Sequence, residues 1–299
     1  MARSKLFMSL LVIASVCTLA ATSFAKPKPC KFNGDYSFMF WSTDANIAGL
    51  GYFTVNLTAP ACRSGLVAPG GILDCNRPEH GPDGEAPYEF EEFIDSGTVG
   101  IESDGEGHMS ITGSTNDGIC GTGYDTLVLD ISVVQNGKTV LFNSNGEPDQ
   151  AGNDEDMMIT GRADKCFSGN ISGCYDVRFW NTDLPNPDPE AEDPGEPFVG
   201  DCTVCVNGAG LVTGGSCACN LGFGNTETLS NIVGGFYAPS LDPCQSSTNF
   251  MEFYLASQPL CGVLDEVVLD YVVAKGGQQV YGACDYFNGF GCAFEGYLQ

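Results

Sequence analysis

The sequence has little of what catalysis and nucleic-acid binding usually need. Histidine occurs twice in 299 residues, at His80 and His108, and the second half of the chain has none. Lysine and arginine together number 12 against 38 aspartates and glutamates, so no surface could neutralise a run of phosphates, and nucleic acid is excluded as a partner. The motifs G-x-S-x-G and H-E-x-x-H and a phosphate-binding glycine loop are missing. We therefore do not expect an enzyme.

Long apolar runs are also missing, apart from one at the start of the chain. Arg3 and Lys5 precede an apolar run over 6–21, and Ser23-Phe24-Ala25 has the small-x-small pattern of a signal peptidase site. This arrangement predicts a signal peptide over residues 1–25 and a secreted, periplasmic or cell-surface location. No later run approaches the roughly 18 apolar residues of a membrane span. Removal of 1–25 takes away two basic residues and no acidic one, which leaves a net charge of −28.

The rest of the chain reads as a tandem repeat. Tyr36–Asp44 falls on Tyr175–Asp183 at an offset of 139, and Leu127–Asp130 falls on Val267–Asp270 at an offset of 140. Similar segments in the same order predict a duplicated unit. We therefore expect one β unit over 26–168 and a second over 169–299.

Each unit is predicted to be all-β. Apolar and polar residues alternate with a period of two around Tyr36, Phe38 and Phe40, no stretch keeps a helical period, and Asn136-Gly137 is a hairpin signal. Eight antiparallel strands fit the first unit, which favours an up-and-down barrel stapled by disulfides, with a β-sandwich as the alternative. The predicted strands are 35–42, 51–57, 65–76, 94–102, 108–114, 125–134, 138–143 and 157–163.

Three short patterns suggest a relationship to known proteins. They are Asn33-Gly-Asp-Tyr-Ser-Phe38, the Asp74-Cys-Asn76 that follows two glycines, and Asp104-Gly-Glu-Gly107. In these NG-x-Y-x-F, D-x-N and DG-x-G motifs the chain resembles secreted bacterial all-β repeat proteins. The resemblance implies an all-β fold and export, and it implies no activity.

Cysteine usage agrees with export. Without Cys17, which lies in the predicted signal peptide, 14 cysteines remain, an even number that allows up to seven disulfides. Cys202-x-x-Cys205 has the spacing of a zinc or redox site, but Cys217-x-Cys219 does not supply a matching second pair. Positions that correspond in the two units predict the pairs Cys75–Cys120 and Cys219–Cys261. Because the first and last strands of a closed barrel are neighbours, Cys30–Cys166 is also predicted.

The candidate site is one rim of each unit. In an up-and-down barrel alternate connections emerge at opposite ends, and here the long connections 77–93, 144–156 and 184–197 share a rim and are acidic. Trp41 and Trp180, the only tryptophans, end the first strand of each unit at that rim and are followed by Asp44 and Asp183. They predict an aromatic platform beside an acid, able to hold a sugar, a cation or an aromatic ligand. The alternative is that each tryptophan closes a barrel core.

Clustered carboxylates also make calcium a candidate cofactor. The residues predicted to hold it are Asp149, Asp154 and Asp156, although no stretch matches an EF-hand loop. The alternative is a solvated acidic loop.

These observations favour an exported, non-catalytic binding or surface-interaction protein that uses the acidic rims. Its partner would be a small molecule, a glycan or a basic partner. Two alternatives stay open: a structural component of an envelope or matrix that has no small ligand, and a hydrolase that uses rim carboxylates.

Overall fold

The structure is a computed structural model that describes residues 30–42, 47–59, 61–77, 88–114, 119, 125–144, 159–167, 170–181, 198–221, 228–238, 250–256, 266–285 and 292–299. Within these ranges the chain is all-β, apart from 3-10 conformation at Ile119 and at Lys275–Gly277. None of the helical structure there has the length and apolar character needed to cross a membrane. The strands are β1 (Gly34–Ser42), β2 (Ile47–Leu57), β3 (Ser64–Val67), β4 (Gly71–Arg77), β5 (Tyr88–Ile101), β6 (Glu106–Gly113), β7 (Thr126–Val134), β8 (Thr139–Ser144), β9 (Thr160–Lys165), β10 (Gly173–Asn181), β11 (Phe198–Val206), β12 (Leu211–Leu221), β13 (Thr228–Ala238), β14 (Phe250–Leu255), β15 (Glu266–Ala274), β16 (Gln279–Asp285) and β17 (Cys292–Leu298).

The strands form two closed antiparallel barrels, which confirms the predicted fold class and excludes the sandwich. In barrel 1, strands that follow one another in the sequence pair in antiparallel fashion, except β3 and β4, and β1 closes the barrel by pairing with both β2 and β9. Strands β3 and β4 both lie between β2 and β5, so they form one barrel strand interrupted at 68–70. In barrel 2, β10 to β17 pair in order and β10 closes on β17.

Alternate side chains fill the barrel interiors. In barrel 1, Tyr36, Phe38 and Phe40 point inward from β1 and belong to the buried core. The Phe40 ring occupies the space that a Cβ atom on Gly49 would need, at 2.4 Å, because this aromatic ring fills the volume over an inward-facing glycine. The same packing occurs in barrel 2, where the Phe179 ring occupies the space that a Cβ atom on Gly200 would need. Both interiors are thus packed by side chains.

One buried hydrogen bond recurs in both barrels. The Tyr36 hydroxyl donates to the carbonyl oxygen of Gly137 at 2.5 Å, in the turn between β7 and β8. The Tyr175 hydroxyl donates to the carbonyl oxygen of Gly277 at 2.5 Å, in the turn between β15 and β16. Both glycines have positive φ, which the tight turns require. The first strand of each barrel is therefore hydrogen-bonded to the corresponding hairpin of its own barrel.

Cross-strand disulfides reinforce barrel 2. Cys174 and Cys205 lie directly opposite each other on β10 and β11 and are bonded, as are Cys202 and Cys217 on β11 and β12. Both members of the Cys202-x-x-Cys205 motif are therefore in disulfides and neither is a zinc ligand. A further disulfide joins Cys284 and Cys292.

One predicted disulfide is wrong. Cys30 is bonded to Cys62, with 5.3 Å between their Cα atoms, and not to Cys166. The prediction considered only β9 as the neighbour of β1, but β1 is also hydrogen-bonded to β2. The segment that follows β2 carries Cys62 and lies beside the start of β1, where Cys30 is. The Cys166 Sγ atom lies 3.3 Å from the Ser37 Oγ atom on the outside of the barrel.

The other two predicted pairings stay predictions. Cys75 and Cys219 are each disulfide-bonded. Their predicted partners, Cys120 and Cys261, lie outside the described residues.

The two barrels pack side by side through outward-facing residues. Met39 and Leu50 of barrel 1 are 3% and 0% exposed although they point away from their own barrel, because they belong to one buried cluster with Val272 and Ala283 of barrel 2. The Tyr281 hydroxyl donates to the carbonyl oxygen of Ser37 across this interface at 3.0 Å. An outer barrel face is thereby converted into a second core, which we call the inter-barrel core. Its members are Met39, Ala48, Leu50, Val272, Ala274, Tyr281, Ala283 and Ala293.

A buried ion pair lies on barrel 1 close to the inter-barrel core. The Arg162 guanidinium donates to both carboxylate oxygens of Asp164, at 2.6 and 3.1 Å, and the Thr139 hydroxyl donates to the same carboxylate at 2.5 Å. Asp164 is 3% exposed, so these donors replace the water that the carboxylate loses. Burial, together with the negative charge of Asp164, raises the pKa of Tyr281 well above its ordinary value.

Candidate functional site

One end of each barrel collects the longer connections. In barrel 1, β1, β4, β6 and β8 end at this rim, and in barrel 2 β10, β12, β14 and β16 end there. We call these ends the long-connection rims. The opposite ends carry mostly short turns such as 102–105, 135–138 and 207–210, together with one longer connection, 239–249, in barrel 2. The acidic segments identified in the sequence leave from and return to the long-connection rims, because the strands on either side of them end there.

The acidic region after β4 is shorter than the sequence predicted. Strand β4 extends to Arg77 and β5 begins at Tyr88, so Glu91 and Glu92 lie in a strand instead of a loop. Backbone pairing between β4 and β5 overrides the charged composition of this segment. The remainder of this connection, 78–87, lies outside the described residues.

The predicted aromatic residues come together. Trp41 and Trp180 are the penultimate residues of β1 and β10, and their ring centroids are 5.5 Å apart in an edge-to-face arrangement. Both rings pack against the inter-barrel core from the side of the long-connection rims. Neither closes a barrel core, because the inward positions beside Trp41 belong to Phe40 and Ser42. Their role in binding stays a prediction.

The contact between the two tryptophans shows the relative orientation of the two barrels. Trp41 and Trp180 each stand at the long-connection rim of their own barrel, and they touch each other. The hydrogen bond between Tyr281 and Ser37 lies further down both barrels, toward the opposite rims. The two long-connection rims therefore open on the same side of the molecule. The sequence did not predict this arrangement.

The predicted acidic ligands cannot be placed. Asp44 and Asp183, which follow the tryptophans, lie outside the described residues, and so do Asp149, Asp154 and Asp156. In the part of the chain that the structure describes, no group of three or more His, Cys, Asp or Glu side chains is arranged to hold a metal ion. Calcium binding by the acidic segments therefore stays a prediction.

Sequence reasoning missed a buried carboxylate at the mouth of barrel 1. Glu92 on β5 is 2% exposed, and its carboxylate lies where a Cβ atom on Gly113 would be, at 2.6 Å. At the same rim, Ser144 at the end of β8 is buried, and its hydroxyl accepts a hydrogen bond from the backbone N–H of Ile159 at 2.8 Å. The signal was the glycine at the end of β6, which leaves room for a larger side chain from the neighbouring strand.

Among the described residues of barrel 2, side chains fill the interior around one small cavity. The cavity among its described residues has a volume of about 10 Å³ and is lined by apolar and tyrosine side chains, among them Tyr175, Met251 and Tyr271. That volume holds at most a single water molecule. Burial raises the pKa of Tyr175 and Tyr271, as expected for phenols in an apolar interior. This cavity is therefore too small for a ligand, and the candidate binding surfaces lie outside the interior.

The outer face of barrel 2 carries a groove. It is open, has a volume of about 370 Å³ and runs across β17, β10, β11, β12 and the start of β13. Its walls include Arg178, Asp201 and Tyr297. The Arg178 Nε atom donates to the Asp201 carboxylate at 3.1 Å, and both side chains are about two-thirds exposed, at 65% and 66%.

Comparison with known proteins identifies no family. No protein-family model and no curated protein matches the sequence. Solved structures that resemble the chain include kievitone hydratase from Nectria haematococca (9% identity, 91% of this chain and 90% of that chain covered, TM-score 0.25). Others are the Myxococcus xanthus hemagglutinin in complex with a3,a6-mannopentaose (11%, 89% and 100%, TM-score 0.18) and the Burkholderia oklahomensis agglutinin (11%, 89% and 95%, TM-score 0.17). TM-scores this low carry no conclusion about this chain.

Proposed function

We propose that this protein is an exported, non-catalytic binding protein that takes a cationic partner at its two long-connection rims. One observation carries the proposal. The connections 78–87, 145–158 and 182–197 contain 14 acidic residues and no lysine or arginine, and the strands that flank them end on the same side of the molecule. Charge of one sign concentrated on one side attracts counter-charged partners and speeds their association.

The rigid scaffold supports this reading. Two closed barrels, cross-strand disulfides and the inter-barrel core hold the strand ends in fixed positions. Function in such proteins tends to reside in long loops carried on a rigid frame. The disulfides also support export, because they persist in oxidising compartments.

Intrinsic fluorescence provides the test, because the only two tryptophans lie at these rims. The mature protein would be titrated with calcium chloride and, separately, with an oligolysine peptide at low salt. We expect a change in tryptophan emission with at least one probe and weaker oligolysine binding as salt screens the rim charges. Trp41→Phe and Trp180→Phe report which tryptophan senses the probe, and circular dichroism checks that each variant keeps its fold.

A matched pair of variants locates the binding. Asp149, Asp154 and Asp156 would be changed together to asparagine, and Asp95, Asp104 and Asp130, which lie in the strands of barrel 1 or in a turn at its opposite end, would be changed to asparagine in the control. Both variants remove the same charge, so only a local site distinguishes them. Failure of both probes to bind at low salt, or equal weakening in the two variants, would contradict the proposal and support a structural component instead.

A further inference from the structure

We propose that the groove on the outer face of barrel 2 binds a neutral glycan. The groove is separate from the long-connection rims, and its volume of about 370 Å³ is within the ~300–1,000 Å³ of small-molecule sites. The proposal rests on the chemistry and order of the side chains that form its walls.

Strand register sets two polar rows across the groove. In one row Arg178 on β10 lies between Asp201 on β11 and Glu295 on β17. In the other row Asp176 lies between Thr203 and Tyr297 on the same strands. Because side chains alternate along a strand, these residues all project from the outer face.

The rows are held in place by hydrogen bonds among their own members. Besides the pair of Arg178 with Asp201, the Thr203 hydroxyl donates to the Asp176 carboxylate at 3.1 Å. The Tyr297 hydroxyl donates to the Glu295 carboxylate at 2.9 Å. Each carboxylate keeps further lone pairs that can accept hydrogen bonds, and Arg178 keeps further N–H groups that can donate them. The groove thus offers fixed donors and acceptors side by side.

This alternation selects the class of ligand. A metal ion or a lysine side chain would have to approach the Arg178 guanidinium, which stands in the middle of one row. An anion would meet the carboxylates of Asp176, Asp201 and Glu295. A sugar avoids both penalties, because each of its hydroxyl groups is neutral and can both donate and accept.

Apolar groups in the same groove suit the other face of a sugar ring. Tyr297 is 44% exposed and Leu229, at the other side of the groove, is 70% exposed. An aromatic ring with a hydroxyl at its tip offers an apolar face beside a polar one. The C–H face of a pyranose can pack on Tyr297 while its hydroxyls reach the polar rows.

The experiment is a screen followed by matched variants. The mature protein would be applied to an array of neutral oligosaccharides, namely glucans, mannans, galactans and N-acetylhexosamine oligomers, and the strongest binder would be measured by isothermal titration calorimetry. Asp201→Asn and Tyr297→Ala should each weaken that binding about tenfold or more, the loss typical of a hydrogen bond to a charged group or of a contact with an aromatic side chain. Both side chains are on the surface, so the fold should be kept.

The control is a carboxylate on the outer face of barrel 1. Asp130, whose carboxylate lies 2.6 Å from the His108 Nδ1 atom, would be changed to asparagine, which removes the same charge from the other barrel. Glycan binding should be unchanged in this variant and in Trp41→Phe. The proposed glycan site and the proposed rim site are therefore tested independently of each other.

Two results would overturn the proposal. One is that no neutral oligosaccharide binds, including the case in which only oligolysine occupies the groove and loses affinity on Asp201→Asn. The other is an oligosaccharide that binds with equal affinity to the wild type, Asp201→Asn and Tyr297→Ala.

Discussion

The inter-barrel core makes a quantitative prediction for a leucine that points away from its own barrel. Leu50 on β2 is 0% exposed, and its outward side chain is covered by barrel 2. Truncation to alanine loses roughly 2 kcal/mol of transfer free energy at about 0.8 kcal/mol per buried methylene. The cavity left in a packed core adds to this, so Leu50→Ala should lower the free energy of unfolding by about 2–5 kcal/mol.

A second leucine provides the control. Leu141 on β8 also points outward from barrel 1, but it is 46% exposed because barrel 2 does not cover it. Leu141→Ala should change stability by no more than about 0.5 kcal/mol. Urea unfolding followed by circular dichroism measures both values with disulfides intact.

The comparison tests the arrangement of the barrels and not the fold of either one. An isolated barrel 1 would expose both leucines, and the two variants would then have similar small effects. Equal losses for Leu50→Ala and Leu141→Ala would therefore refute the inter-barrel core. A large loss confined to Leu50→Ala would support it.

Two further predictions concern the buried tyrosines and the interior glycines. Burial raises the pKa of Tyr271 and Tyr281 above the ordinary value of about 10, so the unfolded state loses protons at lower pH than the folded state does. The stabilisation should therefore be full below pH ~10 and fall as the pH rises further. Urea unfolding at pH 8 to 11 measures this, and no loss of stability at the alkaline end would argue against burial of the two phenols. Gly49→Ala should destabilise the protein by about 1–3 kcal/mol because the new Cβ atom would clash with the Phe40 ring. Gly100→Ala, on a strand of the same barrel, should be near neutral because its Cβ atom would have no neighbour within 4 Å. Thermal unfolding measures both variants, and equal melting temperatures would contradict the packing of Phe40 over Gly49.

Much of the strand pattern was predictable because it is a local property. The alternation of Tyr36, Phe38 and Phe40 marks β1, and Asn136-Gly137 marks the turn between β7 and β8. Local sequence was less reliable where charge and strand pairing disagree, as at Glu92. There the hydrogen bonds of β4 and β5 carry the strand into a segment that composition assigns to a loop.

Two strands of the inter-barrel core are apolar on both faces, and this feature of the sequence is easily overlooked when only one face is examined for alternation. β1 is apolar on both faces, since Met39 and Trp41 alternate with Phe38 and Phe40, and β15 likewise carries Tyr271-Val-Val-Ala274. A strand that is apolar on both faces indicates burial on both faces. Such a strand can identify the presence of a covering surface but cannot say which surface covers it.

The sequence by itself determined the β class, the approximate strands, the cysteine content and the concentration of acids in three connections, because each is a property of residues close together in the chain. Only the tertiary structure decided that Cys30 bonds Cys62, that Trp41 meets Trp180 and that Arg178 lies between two carboxylates. These contacts join residues from different strands or different barrels. Their formation depends on barrel closure and on the packing of one barrel against the other, which no local pattern specifies.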